Sequence, residues 1–276
     1  IVRVSPFISS LSEGFRGSAT PKDLEELFQM VHLYFTSLNK DEKAFNSYVN
    51  KQKSFLGNLL ASPNFFFQKE MSEFIYGKDP RYTGFPSPEK YENADYNLAY
   101  KKYQERFADA GDFNFYFVGN VDEKKLAEYA TKYIAGLPGK NSNETYKVSD
   151  FRPLYGSHSK TVSKGTDPKS NVRITYQGKA TYNKKDALVF KILGEVVGIK
   201  LTEKLREQEG GVYSSRTRGN ISKMPYGWYN FTISYPCAPE NVEKLKDISI
   251  SEVTSVVKNG PTEEDLMKAQ KGMIAD

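Results

Sequence analysis

Only two histidines occur in the 276 residues, His32 and His158, and they stand 126 positions apart. A zinc hydrolase of the inverted-motif kind needs two histidines on one helix, with a glutamate beside the second. A catalytic zinc needs three protein ligands and an open fourth position. Neither set can be assembled here. His32, in Val31-His32-Leu33, has no second histidine on its helix and reads as a packed or half-exposed helical residue. His158, in a serine-rich loop, reads the same way. The single cysteine, Cys237, has no histidine near it in sequence and reads as a small buried residue. No G-x-x-x-x-G-K-[ST] or G-x-G-x-x-G run offers a phosphate cradle, and nothing marks a serine nucleophile. Arg206 and Tyr213 stand seven positions apart around Gly210-Gly211. By themselves they read as a cation at a helix C-terminus, where it suits the dipole, and an aromatic opening a strand.

The elements that must position these residues follow from periodicity. Apolar residues recur at helical spacing from Lys184 to Glu207, through Leu188, Ile192, Leu193, Val196, Leu201 and Leu205. The alternating run Val172–Tyr176 predicts a strand before that helix. A hairpin follows it, turning near Met224-Pro225-Tyr226-Gly227 and closing with Tyr229–Tyr235. Two helices are expected near 239–258 and 262–275. In the first half, residues 2–19 read as strands around a turn at Ser12-Glu13-Gly14. Thr20, Pro21 and Asp23 form a capping-box-like helix start. Residues 62–95, rich in Pro, Gly, Asn and aromatics, promise short helices at best. A helix is expected near 96–108. The near-continuous apolar run Phe113–Asn120 predicts a strand buried on both faces. A helix then runs through Leu126, Tyr129 and Tyr133 to Gly136-Leu137-Pro138-Gly139.

Two stretches parallel each other. Gly17–Leu27 with its restart at Asn39-Lys40-Asp41-Glu42 matches Tyr235–Leu245 with its restart at Asn259–Glu264. Both run strand, proline turn, helix, acidic restart, helix. Strand–proline–helix units are common, so chance is one explanation. The length of the parallel favours duplication. On that reading the chain begins inside one domain and ends inside the next, with 1–138 and 152–276 as the two domain parts and 139–151 as a polar linker.

Composition narrows the classes. Apolar residues make up 38% and charged residues 26%, enough for a packed core and unlike disorder. Aromatics make up 14%, which suits large packed faces or a peptide groove. The net charge of +5 is interleaved with 34 acids and forms no basic stripe, which argues against nucleic acid. No stretch approaches the roughly 20 apolar residues of a membrane span. One cysteine excludes an internal disulfide.

Three segments carry a family resemblance. Phe115–Leu126 with its continuation to Pro138, Leu201–Ser214, and Gly260–Leu266 resemble peptidase family M16, the pitrilysin-type inverzincins, over nearly the whole chain. The resemblance implies an α+β fold of duplicated M16-peptidase-like domains, mainly antiparallel sheet packed with helices. It implies four such domains in two halves around a chamber, with zinc in the N-terminal half and none in this one. This chain would be the end of the third domain and the start of the fourth. Arg206 and Tyr213 match the family's Arg-x6-Tyr and would bind peptide. The guanidinium would offer planar donors to a backbone carbonyl or a carboxylate. The phenol would donate to the oxyanion developing at the scissile carbonyl. The implied partners are the zinc-binding N-terminal half, in the same polypeptide or a partner chain, and a peptide substrate. The bacterial members most alike imply a periplasmic or cell-envelope setting. Two functions stand at this point: the substrate-binding half of a zinc endopeptidase, or a purely structural or protein-binding member of the same fold.

The missing ligand set makes a direct prediction. After chelator washing and zinc reloading, metal analysis of this chain gives far less than one zinc per chain, and no peptide is cleaved. One tightly held zinc overturns this.

Overall fold

The computed structural model describes residues 1–140, 145–210, 212 and 214–275, with the backbone alone at 207 and 208. The chain forms two compact units. One comprises Ile1–Ala61 and Phe85–Lys147, the other Ser62–Gly84 and Val148–Asp276. Residues 62–84 thus pack with the C-terminal part, although they precede the linker in sequence.

In the first unit, β1 (Arg3–Ile8) and β2 (Glu13–Ser18) pair antiparallel, Arg3 opposite Ser18. A short 3-10 turn at Pro21–Asp23 leads into α1 (Leu24–Thr36). Thr20 does not cap this helix as the capping-box reading expects. Its hydroxyl donates to the Asp23 carboxylate at 2.8 Å, because the chain enters through a 3-10 turn. Then come α2 (Glu42–Ala61) and, after α3 (Pro63–Tyr76) of the other unit, the short α4 (Pro88–Glu92), α5 (Tyr96–Arg106) and α6 (Glu123–Tyr129). The Asp122 carboxylate caps α6 by accepting from the backbone N–H groups of Lys124 and Lys125. The core of this unit is aromatic. Phe15, Phe35, Phe107 and Phe113 meet edge to face, tilted or, for Phe107 and Phe113, stacked, with centroids 4.7 to 6.1 Å apart.

The strand expected at 113–120 is not formed among the described residues. The backbone there is free of sheet pairing, since β1 and β2 bond only to each other. Its alternation is nevertheless that of a strand. Phe113, Phe115 and Phe117 turn to Phe35 and Phe28, whereas Tyr116 is 85% and Val118 98% exposed. The apolar run therefore covers one face of the helices, and burial on both faces is not observed.

The second unit is built on a three-stranded antiparallel sheet in the order β3 (Ser170–Lys179), β5 (Trp228–Cys237), β4 (Arg216–Ser222). One face carries Val172, Ile174, Phe231, Ile233 and Tyr235 against α7 (Lys184–Thr202) and α8 (Val242–Asn259). The fully buried Leu201, Leu205 and Leu245 fill the space between. The side chain of Ser249, also fully buried, donates to the Leu245 carbonyl at 2.8 Å, and its oxygen lies 3.3 Å from the Tyr235 hydroxyl. Last comes α9 (Glu263–Ala275), which packs on α7. Both units thus share one element order: hairpin, proline-led 3-10 turn, helix, helix.

The stretch expected to hold only short helices contains α3 (Pro63–Tyr76), a 14-residue helix of the second unit. The reason is local. Pro63 sits in the first turn, where proline is tolerated, and no other proline or glycine interrupts the helix. The breakers that suggested a loop gather after it, from Gly77 to Pro88.

Leu201 and Leu188 lie on the same helix with opposite fates, one at 0% exposure and the other at 53%. Leu201→Ala is expected to destabilise the second unit by about 2–5 kcal/mol, from lost transfer energy plus a cavity. Leu188→Ala should cost within about 0.5 kcal/mol. Urea unfolding of the two variants measures the difference, and equal costs contradict the assigned core.

Candidate functional site

The closeness of α7 to β4 sets the geometry of the second unit. A Cβ on Gly194 would come within 2.8 Å of the Gly219 backbone nitrogen. A Cβ on Gly219 would lie 2.2 Å from the Phe190 carbonyl oxygen. Two glycines facing each other let the helix backbone lie against the strand backbone. Thr217 adds a hydroxyl that donates to the Gly194 carbonyl at 2.7 Å. One turn on, Thr202 bonds back to the Gly198 carbonyl at 2.8 Å, and its hydroxyl meets that of Ser215 at 3.2 Å.

The helix ends in a wider π turn, Glu203–Gln208. Leu205 plugs this turn into the core, and Arg206 beside it is exposed. The N–H of Gly210 donates to the Arg206 carbonyl at 3.1 Å, with Gly210 at φ +61, a left-handed helix end that glycine adopts at no steric cost. Val212, again buried, returns the chain to the core before β4 begins at Arg216. Glu209 forms an ion pair of 2.5 Å with Lys244 and ties this loop to α8. The sequence reading placed Arg206 at the end of the long helix, and there it is. Tyr213 and Gly211 lie outside the described residues.

The histidines are apart, one in each unit. His32 Nδ1 lies 2.8 Å from the Tyr133 carbonyl oxygen, on a helix face beside the Tyr133 ring. His158 Nε2 lies 2.5 Å from the Tyr155 carbonyl oxygen in an exposed loop. Among the described residues no group of three or more His, Cys, Asp or Glu could hold a metal ion. These donors do not fit a zinc centre. Cys237 is buried at the end of β5, and burial pushes its thiol up, away from a reactive thiolate.

Alongside β4 runs an open groove of 1520 Å³. Its floor includes Arg216, Arg218 and Thr232 of the sheet, and Tyr76 of α3 and Lys268 of α9 stand at its sides. Burial raises the Tyr76 phenol, which stays protonated as a donor. Arg206 is not among the residues that line the groove. The groove was not foreseen from sequence, although the alternation of Arg216, Arg218 and Asn220 with Thr217, Gly219 and Ile221 contained its signal. At the end of the groove, Asp265 of α9 meets Lys200 of α7 at 3.0 Å and accepts from the Thr262 hydroxyl at 2.6 Å. The Thr262 bond and the Lys200 cation hold the Asp265 carboxyl below the usual carboxylate range. The same carboxylate raises the Lys200 ammonium.

Residues 99–273 match the family described as the peptidase M16 inactive domain. The chain is 23% identical over 269 residues to the "Probable zinc protease PqqL" of Haemophilus influenzae, covering 96% of this chain and 28% of that protein. The periplasmic protease PqqL of Escherichia coli superposes with a TM-score of 0.79 at 20% identity, over 99% of this chain and 30% of that one. A peptidase M16 inactive domain from Pseudomonas fluorescens superposes with a TM-score of 0.73 at 14% identity, over 99% and 66%. The chain spans less than a third of the length of the curated relatives it matches.

Asp265 gives a pH prediction. Its carboxyl is held below its ordinary value, so its stabilisation is full above an unfolded pKa of about 3.9 and is lost as pH falls through the folded value. At neutral pH, Asp265→Asn is expected to cost about 1–3 kcal/mol, a charged hydrogen bond's worth. Urea unfolding at pH 7 and again near pH 3 should show that gap closing in acid. A gap that is independent of pH contradicts the pairing.

Proposed function

Since this chain belongs to peptidase family M16, as the family's inactive domain, we propose that it is the zinc-free, substrate-binding part of an M16 metalloendopeptidase. The reading includes the whole protein's plan. Residues 1–138 would be the end of one domain copy and 152–276 the start of the next, joined by 139–151, with a zinc-binding N-terminal half in the same polypeptide or in a partner chain. Zinc would belong to that half.

One observation carries the role of this part. Arg206 stands exposed on a turn whose neighbours, Leu201, Leu205 and Val212, are all buried. A cation on so well anchored a turn keeps its place when a peptide arrives. That fixed geometry is what a guanidinium needs to bond a carbonyl or carboxylate with parallel donors. Tyr213, seven residues on and directly after the buried Val212, would bring its phenol to the same peptide. A preorganised donor to a developing oxyanion is worth about 3–4 kcal/mol in comparable sites. The relative from Escherichia coli is periplasmic. No helix among the described residues is long and apolar enough to cross a membrane. A periplasmic or envelope setting belongs to the proposal on those grounds.

The test uses the complete enzyme with both halves. Tyr213→Phe keeps the ring and removes one donor, so kcat should fall by about 100-fold or more with KM little changed. Arg206→Ala should raise KM as well, because a cation on the peptide backbone holds ground state and transition state alike. Thermal unfolding recorded in parallel separates lost chemistry from lost stability. Wild-type kcat and KM in both folded variants return the chain to the structural reading.

A further inference from the structure

The groove beside β4 has a floor of unusual charge. Antiparallel register sets Arg173, Ser234 and Arg216 in one row across β3, β5 and β4. The next row on the same face is Thr175, Thr232 and Arg218. The alternation that turns Val172, Ile174, Phe231 and Ile233 into the helix-covered core aims these six the other way. All three arginines are exposed, and no acid stands in either row. No ion pair among the described residues reaches them. Arg173 lies beside aromatic residues, its guanidinium 5.9 Å from the ring centroid of Phe67 and its charge acting on the Tyr76 phenol. The acids that border the groove are placed otherwise. Asp265 is paired with Lys200 and Glu264 with Lys268. Glu195 of α7 and Glu203 of the turn after it also line the groove, without an ion pair to these arginines among the described residues, so the three guanidinium groups outnumber the unpaired acids.

Covering three guanidinium groups with neutral protein would strip them of water without compensation, at a cost of several kcal/mol per ion. An occupant of this face must therefore bring negative charge. We propose that the open face of the β3–β5–β4 sheet binds the acidic side chains of an extended peptide through Arg173, Arg216 and Arg218. Spacing supports a peptide as the occupant. Side chains two apart on a strand repeat at about 6.7 Å, and an extended peptide has the same repeat. Acids at alternate positions of the peptide therefore fall opposite Arg216 and Arg218, where each carboxylate can take two parallel N–H bonds. The Asn230 side-chain oxygen accepts from the Thr232 hydroxyl at 2.8 Å, and its amide group is a further donor on the same face. The inference rests on the peptide-binding reading of this chain and adds a preference to it: acidic stretches in the substrate.

Binding by the 276-residue chain itself is the readout, so the result does not depend on catalysis by the whole enzyme. Fluorescence anisotropy is measured with three labelled extended peptides, alternating threonine with glutamate, glutamine or lysine. The glutamate peptide is expected to bind about ten-fold or more tightly than the glutamine one, the worth of a charged hydrogen bond. The lysine peptide should bind most weakly, and added salt should loosen the glutamate complex. The double variant R216Q/R218Q should lose about ten-fold in affinity for the glutamate peptide while unfolding at the wild-type temperature. K43Q/K258Q, at exposed lysines elsewhere, should bind as wild type. Equal binding of the glutamate and glutamine peptides overturns the proposal. So does an unaltered R216Q/R218Q, or an equal loss in K43Q/K258Q, which would assign the effect to net charge. A negative result here leaves Arg206 and Tyr213 untouched, and wild-type kinetics in their variants leave this face untouched.

Discussion

A helix can lie directly on a strand only where neither backbone carries a side chain between them. In the second unit that condition is met at Gly194 and Gly219, where a single methyl group on either residue would strike backbone atoms within 3 Å. From this contact the rest follows. The lowered helix brings Thr217 within reach of the Gly194 carbonyl and Thr202 within reach of Ser215. It drives Leu201 and Leu205 between the sheet and α8, where both are fully buried. It also decides where the terminal turn of α7 lies, and with it Arg206. A substitution at these glycines would move the groove wall.

The first unit is organised by different means. Its centre is a set of phenylalanine rings in tilted and edge-on contact, with few aliphatic side chains fully buried. Rings of this size cover much area per residue, which suits a unit whose described residues form one two-stranded sheet. The extended stretch 113–118 uses alternate rings to cover α1 and leaves Tyr116 and Val118 to the outside. Such an edge, apolar and without ladder partners, is the kind of surface that other β structure completes. Polar ties hold the far side. Glu25 accepts from both the Lys132 ammonium and the Tyr133 hydroxyl, which lowers its carboxyl.

On the proposed reading, two chemical roles are separated in the second unit. The turn at Arg206 is a point contact, a single cation on an anchored loop, suited to orienting one carbonyl. The sheet face would be a broad surface, with Arg216 and Arg218 at strand spacing and Arg173 two strands away in the row of Arg216, for reading side chains along a peptide. Neither needs a metal from this chain, whose histidines each sit against a backbone carbonyl in different units. The Asp265–Lys200 pair closes one end of the groove and couples α9 to α7 through a charged contact that is only slightly exposed.

The α+β class, the long helix with Leu201 and Leu205 on its inner side, the hairpin around Gly227 and the two closing helices were legible in the sequence. Each rests on local periodicity, which the chain states residue by residue. The family was legible for a similar reason, because the segments Phe115–Leu126, Leu201–Ser214 and Gly260–Leu266 are contiguous. The seven-residue spacing of Arg206 and Tyr213 was legible too, although position in sequence could not say that Arg206 would stand beside three buried anchors. Pairing between distant segments was not legible. An apolar run such as 113–118 states that it is extended, but whether it joins a sheet depends on a neighbour it does not encode. Helix α3 was hidden by the prolines and glycines downstream of it, and only packing assigned it to the second unit. The arginine rows lay furthest from view. Arg173 and Arg216 are 43 positions apart, and cross-strand register alone, fixed by burying Val172, Ile174 and Ile233 on the opposite face, brings them into one line.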